Sequence, residues 1–109
     1  MTTASNSQTW HFAANLDDLP DEGQLTAIVA DDVVILFRAG DAIYCIEDLC
    51  THDGGSLSDG ERCGLEIACP RHGARFDIRT GRALSMPATE ATRSFPVQVI
   101  DRKIYVSVE

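Results

Sequence analysis

The sequence lacks the features of a membrane or secreted protein. None of its apolar runs approaches the roughly 18 residues that cross a bilayer. Residues 1–8 have neither the positive charge nor the apolar core of a secretory signal, so we expect a disordered polar tail there. The expected compartment is therefore the cytoplasm.

Basic residues are also scarce in the first half of the chain. Residues 1–49 hold nine acids and a single base, Arg38, and this imbalance accounts for the whole net charge of −8. An acidic surface argues against nucleic acid or an anionic membrane as the partner. It is equally compatible with a solvated soluble face and with attraction to a basic protein surface.

A sustained 3.6-residue period is missing, so the sequence predicts a nearly all-β protein. Its 109 residues are enough for one domain, which we place at residues 9–109. Turns are expected at residues 31–32, 39–41, 80–81 and 101–103. Strands are expected at residues 10–12, 24–30, 33–38, 42–47, 64–68, 76–78, 82–84, 95–99 and 104–108.

Histidine and cysteine are few, yet most of them fall in two short clusters. The first is Cys50-Thr51-His52, and the second, sixteen residues later, contains Cys69 and His72. Thiolates and imidazoles are ligands for zinc and for iron–sulfur clusters. Each pair is close enough in sequence for one tight loop to offer both side chains to a metal site. His11 is predicted to be an ordinary strand residue.

The arrangement of the four candidate ligands favours iron–sulfur over zinc. Two-by-two zinc sites usually pair like ligands, with two Cys in one half and two His in the other. Here each half offers one Cys and one His. This suits a Rieske [2Fe–2S] centre, in which two His replace two Cys on one of the irons. A zinc-stabilised interaction module is the alternative from another functional class.

The ligand clusters, the β pattern and the length resemble the Rieske-type ferredoxins, which serve ring-hydroxylating and related non-haem iron oxygenases. The resemblance implies an ISP-domain-like fold of stacked antiparallel sheets, with a small cluster-binding subdomain inserted at about residues 46–82. It also implies that Cys50 and Cys69 hold the inner iron, and that His52 and His72 hold the outer iron. Residues 86–88, Met-Pro-Ala, resemble a third loop that covers the cluster.

Two departures separate the chain from the high-potential respiratory Rieske proteins. Those proteins carry an extra Cys in each ligand loop, forming a disulfide, where this sequence has Gly55 and Arg71. They also carry a Ser and a Tyr that bond to cluster sulfur, where this sequence has Ala74 and Phe76. The resemblance is therefore to the oxygenase ferredoxins, and a low reduction potential is expected.

The expected function is one-electron transfer from a flavin-containing NAD(P)H reductase to a terminal oxygenase. The sequence offers neither a nucleophile with a base nor a two-His-one-carboxylate iron site, so we do not expect an enzyme. A small Rieske subunit of a reductase, such as assimilatory nitrite reductase, is the other redox interpretation.

The exposed tip around His52, His72 and Pro87 is expected to dock both partners, with Ala88 as an accessible position beside it. Cys45 is expected in the core, whereas the role of Cys63 is open.

Overall fold

Three three-stranded antiparallel sheets make up the described part of the protein. The computed structural model describes residues 9–51, 54–71, 73–86, 88 and 90–108. A short 3-10 turn at Leu16–Asp18 follows the first strand. The strands are β1 His11–Asn15, β2 Gln24–Val29, β3 Asp32–Ala39, β4 Ala42–Glu47, β5 Arg62–Cys63, β6 Glu66–Ala68, β7 Arg75–Asp77, β8 Val97–Ile100 and β9 Lys103–Val106.

The first strand and the last two strands form one sheet, and the strands that flank the second ligand cluster form another. A terminal sheet has the order β1-β9-β8, a central sheet β2-β3-β4, and a small sheet β5-β6-β7. The predicted all-β fold of stacked antiparallel sheets is confirmed. The small sheet lies within the range expected for the inserted subdomain. Among the described residues, no helix is long and apolar enough to span a membrane.

The central sheet packs on both faces, which explains its continuous apolar strand. Residues 34–37 of β3 are all fully buried. Ile35 and Phe37 join a core that contains Cys50 and Cys69. Val34 and Leu36 point the other way, into a core shared with the terminal sheet. Because successive side chains alternate between faces, a strand covered on both sides is apolar at every position.

The turns differ from the predicted ones by about one residue. Val29 pairs with Asp32, so the β2–β3 turn is Ala30-Asp31 rather than residues 31–32. Both turn residues have positive φ, 48° and 75°, as the two central positions of a type I′ hairpin turn require. Position 103 was also placed in a turn, but Lys103 begins β9.

The small sheet was only partly predicted. Strand β5 was missed, and residues 64–65, expected in a strand, precede β6. The predicted strand at residues 82–84 is reduced to one isolated bridge, between Phe76 and Ala83. Two-residue and three-residue strands carry too little periodicity to be recognised from sequence.

Candidate metal centre

Cys50 and Cys69 are brought into one buried core by different parts of the chain. Cys50 follows β4 of the central sheet, and Cys69 directly follows β6 of the small sheet. Their exposed fractions are 0% and 2%, and both belong to the core that includes Ile67 and Phe76. The structure therefore unites two residues that the sequence separates by nineteen positions.

The backbone around Cys50 closes into a tight loop through two hydrogen bonds. The Cys50 N–H donates to the carbonyl oxygen of Gly55 at 2.8 Å, and the Gly54 N–H donates to the Cys50 carbonyl oxygen at 2.7 Å. Gly54 has φ +75°. Because other residues rarely adopt this conformation, glycine is needed for the loop to turn back after the cysteine.

The backbone around Cys69 repeats the same arrangement. The Cys69 N–H donates to the Ala74 carbonyl oxygen at 2.7 Å, and the Gly73 N–H donates to the Cys69 carbonyl oxygen at 3.0 Å. Gly73 has φ +76°. The two loops thus share a Cys-x3-Gly spacing, the same hydrogen-bond pattern and the same left-handed glycine. Each carries a cysteine at its start and a histidine two or three positions later.

Asp48 fixes the chain that leaves the first loop. Its carboxylate oxygen Oδ1 accepts the backbone N–H of Leu57 at 2.6 Å and that of Ser58 at 2.8 Å. The Ser56 hydroxyl lies 3.0 Å from both carboxylate oxygens. Sequence reasoning missed this role. A carboxylate beside a Ser-rich turn is a weak signal for side-chain capping of backbone N–H groups.

The residues flanking the third loop are hydrogen-bonded to the first ligand loop and to β7, the strand that follows the second ligand loop. The Thr51 hydroxyl donates to the Glu90 carbonyl oxygen at 2.6 Å. The Arg75 N–H donates to the Ser85 hydroxyl at 3.0 Å. Between these contacts, Ala88 is only 4% exposed and packs in the same core as the two cysteines. The expectation that Ala88 is accessible was wrong, because its methyl group points inward.

Arg93 holds the segment that follows the third loop against the central sheet. Its guanidinium bonds to both carboxylate oxygens of Glu47, at 3.0 and 3.1 Å, and to Asp32 at 2.9 Å. The hydrogen bonds to Glu47, together with the one to Asp32, raise the pKa of Arg93 above its ordinary value. Backbone pairing of Glu47 N–H with the Arg93 carbonyl oxygen, at 2.8 Å, continues the attachment.

Asp77 closes the turn that follows β7. Its carboxylate accepts hydrogen bonds from the Arg79 backbone N–H at 2.8 Å and from the Arg79 side chain at 3.0 and 3.1 Å. The side-chain hydrogen bond from Arg79 is the main reason that the pKa of Asp77 lies below its usual value. The ionised pair holds the turn between the small sheet and the third loop.

The described residues account for two of the four predicted ligands. His52, His72 and Pro87 lie outside the described residues. Within the described chain, no group of three or more His, Cys, Asp and Glu is placed to hold a metal. All four cysteines are described, and none forms a disulfide. His11 pairs with Val106 in the terminal sheet, away from the loops that carry Cys50 and Cys69.

The two described cysteines fit as thiolate ligands of an iron–sulfur centre. Two buried cysteines begin equivalent loops, and the sequence of each loop contains one histidine after its cysteine. Apolar packing around both sulfurs supplies the dry shell that such centres need. A model of the Rieske [2Fe–2S] domain family matches residues 9–96.

The chain belongs to the Rieske [2Fe–2S] domain family. The ferredoxin component of the naphthalene 1,2-dioxygenase/salicylate 5-hydroxylase systems of Ralstonia sp is 36% identical over 103 residues. That match covers 94% of this chain and 99% of the relative. The cofactor of this Rieske protein is one [2Fe–2S] cluster, which excludes the zinc alternative.

Two solved structures extend the similarity to the fold. The ferredoxin of carbazole 1,9a-dioxygenase from Nocardioides aromaticivorans IC177 has a TM-score of 0.87 and 35% identity, covering 93% of this chain and 99% of that one. A complex of reduced oxygenase and oxidised ferredoxin in carbazole 1,9a-dioxygenase has a matching chain with a TM-score of 0.83 and 34% identity. The match covers 92% of this chain and 94% of that one.

The two cysteines outside the ligand loops differ sharply in environment. Cys45 is 2% exposed in β4, and burial raises the pKa of its thiol to about 12. The thiol is therefore protonated at neutral pH and inert, as expected of a core residue. Cys63 is exposed at the end of β5. The predicted core position of Cys45 is confirmed.

Alkylation of the cluster-loaded native protein should therefore label one thiol. Iodoacetamide at neutral pH is expected to modify Cys63 and leave Cys45 intact, as read by peptide mass spectrometry. A Cys63→Ser variant should take up no label. Labelling of Cys45 before Cys63 in protein that keeps its visible spectrum would contradict this assignment.

Proposed function

We propose that the chain is a low-potential Rieske ferredoxin that carries single electrons to a ring-hydroxylating oxygenase, with Cys50, His52, Cys69 and His72 as the cluster ligands. The similarity to ferredoxin components of dioxygenase systems, over nearly the full length of both chains, carries the proposal. When bound, a Rieske [2Fe–2S] centre supplies reversible one-electron chemistry. The protein is an electron carrier rather than an enzyme.

The residues of the chain serve this role by holding a rigid, enclosed site. The paired loops fix Cys50 and Cys69 with backbone hydrogen bonds of 2.7–3.0 Å. Asp48 and Thr51 tie the first loop to its neighbours. A site fixed in this way needs little rearrangement when its charge changes by one. This favours fast electron transfer because protein reorganisation is small.

The partner that accepts the electron is, on this proposal, a terminal oxygenase. A ferredoxin similar in sequence and fold forms a complex with the oxygenase of carbazole 1,9a-dioxygenase. The proposed donor is a flavin-containing NAD(P)H reductase, because a flavin converts two-electron hydride chemistry into single-electron steps. Docking of both partners at the end of the molecule that bears the ligand loops keeps the electron path short.

Purified protein provides the direct test of the proposal. We expect a red-brown protein with two irons and two sulfides per chain, whose colour bleaches on addition of dithionite. After excess dithionite is removed in the absence of oxygen, the bleached protein should be reoxidised when a ring-hydroxylating terminal oxygenase is added in its oxidised form. A colourless protein with one zinc per chain would refute the proposal.

Met86 offers a test of the docking surface. It is 73% exposed. It lies between Ser85, which is hydrogen-bonded to Arg75 at the start of β7, and Ala88, which packs in the core with the two cysteines. We expect Met86→Glu to slow electron transfer to the oxygenase severalfold, with an unchanged visible spectrum, because a charge placed in an interface must be desolvated.

Ile100→Glu is the matched control for this experiment. Ile100 is 48% exposed, but lies on β8 in the terminal sheet, which carries neither ligand loop. Its replacement should leave the transfer rate as in the wild type. Equal rates for both variants and the wild type, or a slower rate for Ile100→Glu alone, would exclude the proposed surface.

A further inference from the structure

A charged side chain lies on the inner face of the small sheet, where an apolar residue would be expected. Arg62 of β5 pairs directly with Ile67 of β6. Directly opposed residues in an antiparallel pair point to the same side of the sheet. Ile67 is fully buried in the core that contains both Cys50 and Cys69, and it precedes Cys69 by two positions. The Arg62 side chain is therefore directed into the layer between the small and central sheets.

The Arg62 side chain joins these two layers through several contacts. Its side chain is only 10% exposed. The Nη1 group donates to the Gly23 carbonyl oxygen at 3.0 Å, beside the start of β2, and Nε donates to the Gly64 carbonyl oxygen at 2.8 Å. The guanidinium carbon also lies 5.5 Å from the ring centroid of Phe37, which belongs to the same core as the cysteines.

The charge of Arg62 is only partly compensated. Among the described residues its buried Nη2 group has no hydrogen-bond partner, and the nearest anionic atom is Glu22 Oε1 at 3.7 Å. The Glu22 side chain is 65% exposed, so water screens this ion pair. A guanidinium stays charged at any physiological pH. The guanidinium is thus the charge that lies against the core enclosing the two cysteines, while its counter-charge lies largely in solvent.

We propose that Arg62 is a positioning residue that raises the reduction potential of the site, through its charge, while its hydrogen bonds hold the small sheet against the central sheet. The proposal rests on the proposed ligand set. Reduction adds one negative charge to the site, and a nearby cation in a poorly screened interior stabilises the reduced form more than the oxidised form. Neither Phe37 nor Ile67 could supply this effect.

Two substitutions separate the charge from the packing. Arg62→Met keeps an unbranched apolar chain against Phe37 but removes the charge and the hydrogen bonds, whereas Arg62→Lys keeps the charge and loses the planar fork. Both variants should unfold at a lower temperature than the wild type. Spectroelectrochemical titration should show a lower potential for Arg62→Met alone. We expect about a threefold shift toward the oxidised form at a fixed potential, or about 28 mV, since tenfold is 59 mV for one electron.

A third variant keeps the proposal testable if Arg62→Met does not fold. Glu22→Gln removes the partial counter-charge and should raise the potential, by less than the Arg62→Met change lowers it. The proposal fails if Arg62→Met retains the wild-type potential, if Arg62→Lys lowers it as much as Arg62→Met, or if Glu22→Gln does not raise it. Failure of the ligand assignment is distinguishable, because the wild-type protein itself would then lack a Rieske spectrum.

Discussion

Replacement of His72 by alanine is expected to abolish the visible and electron paramagnetic resonance signals of the native cluster. Each iron needs four ligands, and on the proposed ligand set each loop supplies only one cysteine and one histidine to the site. The second loop contains no other side chain of the required type between Cys69 and Gly73. His52→Ala should have the same effect on the first loop. Iron and sulfide analysis of the purified variants measures the loss.

His11→Ala is the control for this loss. The sequence contains three histidines, and His11 lies on β1, paired with Val106 of β9. Its removal should leave iron content and spectrum unchanged. Loss of the cluster in His11→Ala together with its retention in His72→Ala would mean that the ligand assignment is wrong.

We also expect the wild-type protein to have a reduction potential near the bottom of the Rieske range, about −150 mV. Two thiolates and two neutral imidazoles leave the oxidised centre neutral, which lifts it above the roughly −400 mV of plant-type ferredoxins. Hydrogen bonds to cluster sulfur raise the potential further because they strengthen as negative charge grows. Ala74 and Phe76 have no hydroxyl to donate, and both are fully buried in the core beside the two cysteines.

Ala74→Ser tests that explanation by adding a hydroxyl. A hydrogen bond worth about 1 kcal/mol more in the reduced state corresponds to roughly 40 mV for one electron, so the potential should rise by some tens of millivolts. Phe76→Tyr should act in the same direction, although its hydroxyl must fit into a packed core. Protein-film voltammetry at neutral pH measures both shifts.

Ala14→Ser provides the matched control for the added hydroxyl. Ala14 is 8% exposed and packs in the core shared with the terminal sheet, which contains neither Cys50 nor Cys69. Its potential should equal that of the wild type. A wild-type potential above about +100 mV, or equal shifts in Ala14→Ser and Ala74→Ser, would contradict the account of a low-potential carrier.

Local patterns in the sequence predicted most of the strands. The apolar run of β3 and the alternation in β9 depend on neighbouring residues only, so their elements were found with errors of one or two positions. Strand β5 was missed because only two residues pair, and one of them is Arg62, a charged residue whose side chain is only 10% exposed. Its inward charge is stabilised by Gly23 and Phe37, contacts that no local pattern could reveal.

The candidate site shows the same division between local and tertiary information. The clustering of Cys50 and Cys69 with histidines could be read directly, since ligand spacing is a local property. Attachment of the third loop through Thr51 spans 39 positions, and the carboxylate of Asp48 acts on a turn nine residues away. Such contacts depend on the folded arrangement, as does the burial of Ala88, so sequence reasoning did not predict them.

The central claim, a cluster held by two cysteines and two histidines, is tested most directly by labelling histidine nitrogen. Pulsed electron paramagnetic resonance of the dithionite-reduced protein should be recorded with natural-abundance histidine and with ¹⁵N-histidine. We predict couplings from two inequivalent histidine nitrogens, which change with the label in the wild type and persist in His11→Ala. Spectra without any histidine nitrogen coupling, or with a single coupled histidine, would contradict the account.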